Sequence, residues 1–448
     1  MVVGRFAPSP TGFLHIGNAR TALLAALEPC KTGGKLVLRI DDTDAQRNQA
    51  QFIGALQEDL NWLGLSVDLM ISQSSRMGFY RKAAESLKKN GLLYPCFETS
   101  EELKKMRKLH AGKGPRRYDR SALKLSDEQR EAFLREGRKP YWRFKLSGQR
   151  VCWDDLTGKR SYATKSLSDP VLVRADGSPT FLLTGAVDDL DLGITQVVRG
   201  EDHVTNTAVQ IEIMRALDPK AVLPSFCSVP LLSGAEGKLF SKRFGGGSIR
   251  ELRQKGFEPQ ALCAWLLSLG RPASLPVFES LTDLFCELSL QEYSGASPSV
   301  DWRALEVKNA DYVRAWGFKK FSEKMKAAGI GGVSEEFWEV VRPNLETLQE
   351  AVQWSHILLG DGFSAHQDFS ATQRLFVSSL VDSMPDSLNG PNDFSQWLLA
   401  AQEKAGFVKK EALKTLRLAL TGRTYGPRLP DLISLMGCVR VTERLKNA

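Results

Sequence analysis

Two stretches of this chain hold side chains whose types and spacing could do chemistry on charged groups. The first reads Arg5-Phe-Ala-Pro-Ser-Pro-Thr-Gly12-Phe-Leu-His15-Ile-Gly17-Asn-Ala-Arg20. Two prolines set the approach, Gly12 permits a tight turn, and His15 and Gly17 fall where a helix starts, so backbone N–H groups and the helix dipole favour an anion there. A histidine at that place can donate to a phosphate, and a glycine lets a flat base lie against the backbone. A structural helix cap is the other use for such a histidine. Arg5, just before the turn, offers a planar pair of donors that suits a carboxylate better than lysine would. The second stretch, Asp41-Asp-Thr-Asp44, is acidic and follows the apolar run Lys35-Leu-Val-Leu-Arg-Ile40. No obvious Ser/His/Asp or Cys/His set for nucleophilic catalysis accompanies them.

The elements that would position these residues follow from local pattern. Val2 to Phe6 is short and β-prone, and Ile16 to Leu27 has small and apolar residues at helical spacing. Lys35 to Ile40 reads as a buried strand and Gln46 to Trp62 as a helix. Alternating β and α elements predict a parallel sheet covered by helices, with ligands beyond the carboxyl ends of its strands, where both stretches lie. From about residue 72 to 190 the pattern is irregular, with a basic helical stretch and β-like pieces at Tyr141–Lys145 and Pro170–Arg174, and it reads as an insertion into the sheet. Strand and helix resume at Gly193–Arg199 and Asn206–Leu217, and after Lys242 the chain is almost wholly helical. The last domain change is placed at 310–320.

The 448 residues, 42% of them hydrophobic, are enough for two to four domains. No apolar run approaches the ~20 residues of a membrane span, and the first residues lead straight into motif-bearing sequence, so no membrane contact and a cytoplasmic location are expected. Seven scattered cysteines predict neither a disulfide scaffold nor a four-cysteine zinc site. The net charge of +8 is concentrated: Glu101 to Lys145 holds 15 Lys/Arg against 7 Asp/Glu. Interleaved with Tyr118, Tyr141, Trp142 and Phe144, that segment suits a phosphate-backbone surface; a solvated lysine-rich helix face is the other reading.

The opening stretch resembles the His-Ile-Gly-His signature of class I aminoacyl-tRNA synthetases, with Asn18 in the final position. The surrounding Arg-Phe-Ala-Pro-Ser-Pro-Thr-Gly resembles the form found in glutamyl-tRNA synthetases of bacterial type. The class's second signature, a lysine loop, is matched by Gly237-Lys238-Leu-Phe-Ser241-Lys242-Arg243, about 220 residues later. The resemblance implies ATP-dependent ligation of L-glutamate to the 3′ end of tRNA-Glu through a glutamyl-adenylate, with Mg²⁺ accompanying ATP and with bound tRNA needed for the first step. A nucleophilic side chain is then unnecessary, because the substrate carboxylate attacks ATP itself. Lys242 is expected to stabilise the charge that develops on the phosphates.

Residue by residue, the resemblance implies catalytic roles for His15 and Lys242. It implies an ATP site of Gly12, His15, Gly17, Glu201, Asp202, Leu231, Leu232 and Lys242, and a glutamate pocket of Arg5, Ala7, Ser9, Asp41, Phe181, Leu182 and Arg199. Asp44 and Arg47 are expected to face the tRNA 3′ end. Phe181 and Leu182 stand where the family usually has a tyrosine followed by an asparagine, so one hydroxyl and one amide are lost from that pocket. Many relatives also carry a zinc knuckle beginning Tyr-x-Cys-x-Cys; here Tyr94-Pro-Cys96-Phe-Glu98 keeps one cysteine, and no zinc is expected.

The expected architecture is therefore α/β: a Rossmann-like catalytic domain (1–72 and 188–240), an inserted acceptor-stem domain (73–187), a helical stem-contact domain (241–318) and a helical anticodon-binding domain (319–448), acting as a monomer. The alternatives are an enzyme that also glutamylates tRNA-Gln and a catalytically silent tRNA-binding paralogue.

Overall fold

Strand β1 (Val3–Phe6) ends where Pro8 and Pro10 can no longer donate to a ladder, and Gly4 to Phe6 are buried. Helix α1 (Ile16–Thr32) runs past the expected Leu27, because Pro29 lies in its last turns, where only one backbone bond is lost. Strand β2 (Lys35–Ile40) returns parallel to β1, with Val3 opposite Lys35 and Phe6 opposite Leu38. Helix α2 (Ala50–Trp62) and strand β3 (Leu69–Ser72) repeat the crossover, with Val37 opposite Leu69. The computed structural model describes residues 1–44, 49–109, 117–155, 158–234, 247–293, 296–360, 368–388 and 390–448. The chain folds as two units, Met1–Leu252 with Leu262–Asp301, and Arg253–Ala261 with Trp302–Ala448.

In the first unit, α3 (Met77–Lys89) leads to β4 (Leu93–Cys96), then α4 (Ser100–Leu109), α5 (Asp127–Arg135) and β5 (Tyr141–Phe144). Strands β6 (Arg150–Asp155), β7 (Gly158–Ala163) and β8 (Val171–Val173) follow, then α6 (Phe181–Asp191), β9 (Gln196–Gly200), α7 (Val204–Leu217) and β10 (Ser225–Val229). The main sheet has the order β3-β2-β1-β9-β10-β6-β7, and β4, β5 and β8 make a separate antiparallel sheet. Within the main sheet only the β6–β7 hairpin pairs antiparallel. Strand order reverses between β1 and β9, which opens a crevice at their carboxyl ends.

The segment expected as one insertion, 73–187, is thus divided. Its β4-β5-β8 portion stands apart, while β6 pairs in parallel with β10, Phe226 opposite Asp155, and so extends the main sheet. Val151 and Trp153 alternate inward from β6 and pack with Val197, Ile211 and Phe226, a period-2 signal too short to assign a sheet from sequence. The basic segment forms α4 and α5, the latter with a Ser126/Gln129 capping box and no buried side chain. Its aromatic residues are engaged internally: Phe144 is buried, the Tyr118 hydroxyl donates to Glu98, and the Lys88 ammonium sits 4.1 Å from the Trp142 ring centre. Among the described residues of this segment, the aromatic side chains named here are held by internal contacts, while α5 is solvated.

The second unit is helical among the described residues. Phe321 stacks on Trp338 at 4.2 Å between ring centres, Lys324 pairs with Glu258 at 2.6 Å, and Asn309 Oδ1 accepts from the Glu258 amide. These contacts tie residues 253–261 and 302–327 into one body. Among the described residues no helix is long and apolar enough to cross a membrane.

Candidate active site

His15 caps α1: its Nδ1 accepts from the amides of Gly17, at 3.1 Å, and Asn18, at 3.3 Å. Accepting at Nδ1 places the ring proton on Nε2, so the same side chain that closes the helix carries a donor on its far edge. Gly17 leaves room for this fold-back, because a Cβ there would crowd His15 Cε1 at 3.0 Å. Capping through Nδ1 and donation through Nε2 are compatible with this one tautomer.

The cap forms one wall of a cavity of about 790 Å³ at the β1/β9 switch point. Arg5, Phe6, Ala7 and Pro8 enter it from the end of β1, Gly12 and Gly17 from the turn, Val198 to Gly200 from the end of β9, and Val229 to Leu232 from the end of β10. Arg20 underlies the floor, where Nη1 donates to the Pro230 carbonyl at 3.1 Å and Nη2 to the Leu269 carbonyl at 2.9 Å. That brace fixes the strand end carrying Leu231 and Leu232.

Charge in the cavity is organised by a buried network. Arg5 Nε donates to Asp189 Oδ1, and Arg39 pairs with the same oxygen and with both oxygens of Asp41, at 2.7 and 3.3 Å. Burial raises the Asp41 carboxyl above its ordinary range, against the opposing pull of Arg39. Asp188, next to Asp189 on α6, accepts from Gln73, Arg76 and Tyr80. Arg199 differs. It donates to Gln210 Oε1 at 2.6 Å and to Thr207 Oγ1 at 2.5 Å, both neutral, and among the described residues no carboxylate reaches ion-pair distance. Burial, and then the neighbouring Arg5, push its guanidinium down to about 9. A buried cation without a counter-charge at a cavity wall is a place for an anionic ligand.

The remaining expected residues divide. Asp202 lines the cavity, whereas Glu201 turns to Arg160 at 3.3 Å. Ser9 is exposed and Asp41 lies behind Arg39, so neither lines the cavity. Phe181 is 47% exposed and meets the His203 ring edge-on at 6.4 Å, beside the lining. Leu182 does not reach the cavity: one helical step of about 100° from Phe181 turns it into the apolar cluster of Tyr80, Leu87 and Leu183. Asp44 follows β2 outside the lining. Lys238, Lys242 and Arg47 lie outside the described residues.

Sequence reading missed Arg39, Asp189, Thr207 and Gln210. A signal existed for the first two, since a charge inside an apolar strand or helix needs a buried partner, but the partners are far apart in sequence. Where relatives of this type were expected to hold zinc, the donors do not fit the metal. Burial pushes the lone Cys96 thiol up to about 12, and Tyr141 donates to Glu98 at 2.9 Å alongside Tyr118. The Glu98 carboxylate accepts from both the Tyr118 and the Tyr141 phenol.

Comparison with known proteins agrees with this geometry. Residues 1–295 match the family described as tRNA synthetases class I (E and Q), catalytic domain, and residues 309–448 match an anticodon binding domain. The chain is 42% identical to the glutamate–tRNA ligase 2 proteins of Acidiphilium cryptum and Methylobacterium radiotolerans, with all of each chain covered in both cases. It is also similar to the crystal structure of a glutamate tRNA ligase from Elizabethkingia meningosepticum in complex with its amino acid, with a TM-score of 0.81 and 25% identity over 99% of this chain and 98% of that one. With a switch-point cavity between β1 and β9, a histidine-capped helix at its mouth and a helical second unit, the chain belongs to the class I tRNA synthetases of the E and Q group.

Proposed function

We propose that this protein attaches L-glutamate to the 3′ end of tRNA-Glu in two steps, as a cytoplasmic monomer. In the first, a glutamate α-carboxylate oxygen attacks the α-phosphorus of ATP, the bond to pyrophosphate breaks, and glutamyl-adenylate forms. In the second, a hydroxyl of the terminal ribose attacks the activated carbonyl and AMP leaves. The observation that carries this reading is the pair Arg5 and Arg199 at the ends of adjacent strands, of which Arg199 has only neutral partners. Two guanidinium groups facing one cavity select an amino acid with a second carboxylate.

His15, through Nε2, is the donor to the ATP phosphates, and Gly12 and Gly17 let the nucleotide approach the backbone. Leu231 and Leu232 supply an apolar edge for the base. Lys242 is the cation that meets charge developing on the phosphates, and Mg²⁺ bound to those phosphates would share that load. The resemblance assigns Asp44 and Arg47 to the tRNA 3′ end. The test is pyrophosphate exchange and charging with glutamate and glutamine, using tRNA-Glu and tRNA-Gln separately. Glutamate attachment to tRNA-Glu is expected; attachment to neither tRNA would overturn the proposal, and attachment to tRNA-Gln as well would identify the broader enzyme.

A further inference from the structure

We propose that Gln210, which lies outside the cavity lining, is the positioning residue that aims Arg199 at the glutamate carboxylate, and that Gly185 exists in this chain to make room for it. The inference rests on the reading of Arg199 as a carboxylate-binding residue. Gln210 lies on α7 and is buried, with its Oε1 at 2.6 Å from Arg199 Nη1. Because that oxygen must face the guanidinium, the amide nitrogen points the other way, towards α6. There a Cβ on Gly185 would lie 2.7 Å from Gln210 Nε2, closer than side-chain carbons approach such a group. Gly185 is in the interior of α6, where glycine costs helix stability, so its presence calls for a steric reason. The amide of Gln210 is that reason.

The choice of an amide over a carboxylate has a chemical consequence. Arg199 has five N–H donors; one on Nη1 goes to Gln210, one on Nη2 goes to Thr207, and Nε is buried with no partner among the described residues. One hydrogen remains on each terminal nitrogen, the number a single carboxylate accepts side by side. A glutamate at 210 would hold the guanidinium equally well but neutralise it before substrate arrived. Gln210 orients the cation and leaves its charge for the ligand, so the discrimination between glutamate and glutamine depends on a residue behind the pocket wall.

Three variants test this in the full-length protein with tRNA present. Gln210→Glu should raise KM for glutamate by about tenfold or more while KM for ATP stays within about twofold, and should narrow the preference for glutamate over glutamine. Gln210→Met keeps the volume but frees the guanidinium, and should raise KM for glutamate without narrowing that preference, since the charge survives. Gly185→Ala should act like Gln210→Met, and Gly185→Ala in the Gln210→Ala background should add no further loss. Melting temperature measured on each variant separates folding defects, which move both KM values, from the selective effect. If Arg199→Ala impairs glutamate use while Gln210→Glu leaves KM and preference unchanged, Gln210 has no positioning role. If Arg199→Ala itself leaves glutamate use unchanged, the reading of Arg199 fails first.

Discussion

Asp189 Oδ1 accepts from two arginines at once, Arg5 Nε at 3.2 Å and Arg39 Nη1 at 2.7 Å, and all three side chains are buried. A single carboxylate thereby joins strands β1 and β2 to helix α6 directly beneath the cavity floor. Asp189→Asn keeps the shape and removes the charge, leaving Arg5 without its anchor. Unfolding free energy is expected to fall by about 3 kcal/mol, read from a urea titration, with KM for glutamate rising about tenfold. An unchanged urea midpoint would mean that the two arginines find other partners and that the network is not held by this residue.

The cap made by His15 and the phosphate-donor role proposed for it can be separated by mutation. Asparagine is a good N-cap and alanine is not, so His15→Asn should keep stability while His15→Ala loses about 1 kcal/mol. Both remove the Nε2 donor, and both should slow pyrophosphate exchange by about a hundredfold. Retention of exchange by His15→Asn would show that the histidine is only a cap.

Lys242→Ala should slow adenylate formation and leave tRNA affinity close to that of the parent, measured by single-turnover kinetics and by filter binding. Equal losses in both assays would move Lys242 from the phosphates to the RNA.

With Glu98, Tyr118 and Tyr141 joined by hydrogen bonds, a metal chelator should leave the melting temperature of the purified protein unchanged in the absence of nucleotide. A chelator-dependent drop, together with zinc found by elemental analysis, would contradict the donor set described above.

The legibility of the site in the sequence follows a physical boundary. Residues acting through local backbone geometry were readable: the proline-broken strand end, the glycine turn and the histidine at a helix start depend on neighbours within a dozen positions. Arg5 and Arg199 were singled out by resemblance, in long matching stretches, and both line the same cavity. Leu182 packs in the apolar cluster that holds Tyr80 and Leu87, so its surroundings depend on a different helix and could not be read from its own stretch of sequence.

By itself, then, the amino-acid sequence determined the alternation of strands and helices, the helical nature of the C-terminal region and the identity of the groups that could bind phosphate and carboxylate. Tertiary structure decided which charges are spent on one another and which are left for a ligand. Asp189 lies 184 positions from Arg5 and 150 from Arg39, and their partnership exists only once β1, β2 and α6 have packed. Likewise the hairpin of β6 and β7 joins the catalytic sheet through a pairing with β10 that no local pattern encodes. Local preferences are set by near neighbours in the chain, whereas the compensation of a buried charge is set by whatever the fold brings within about 3 Å of it.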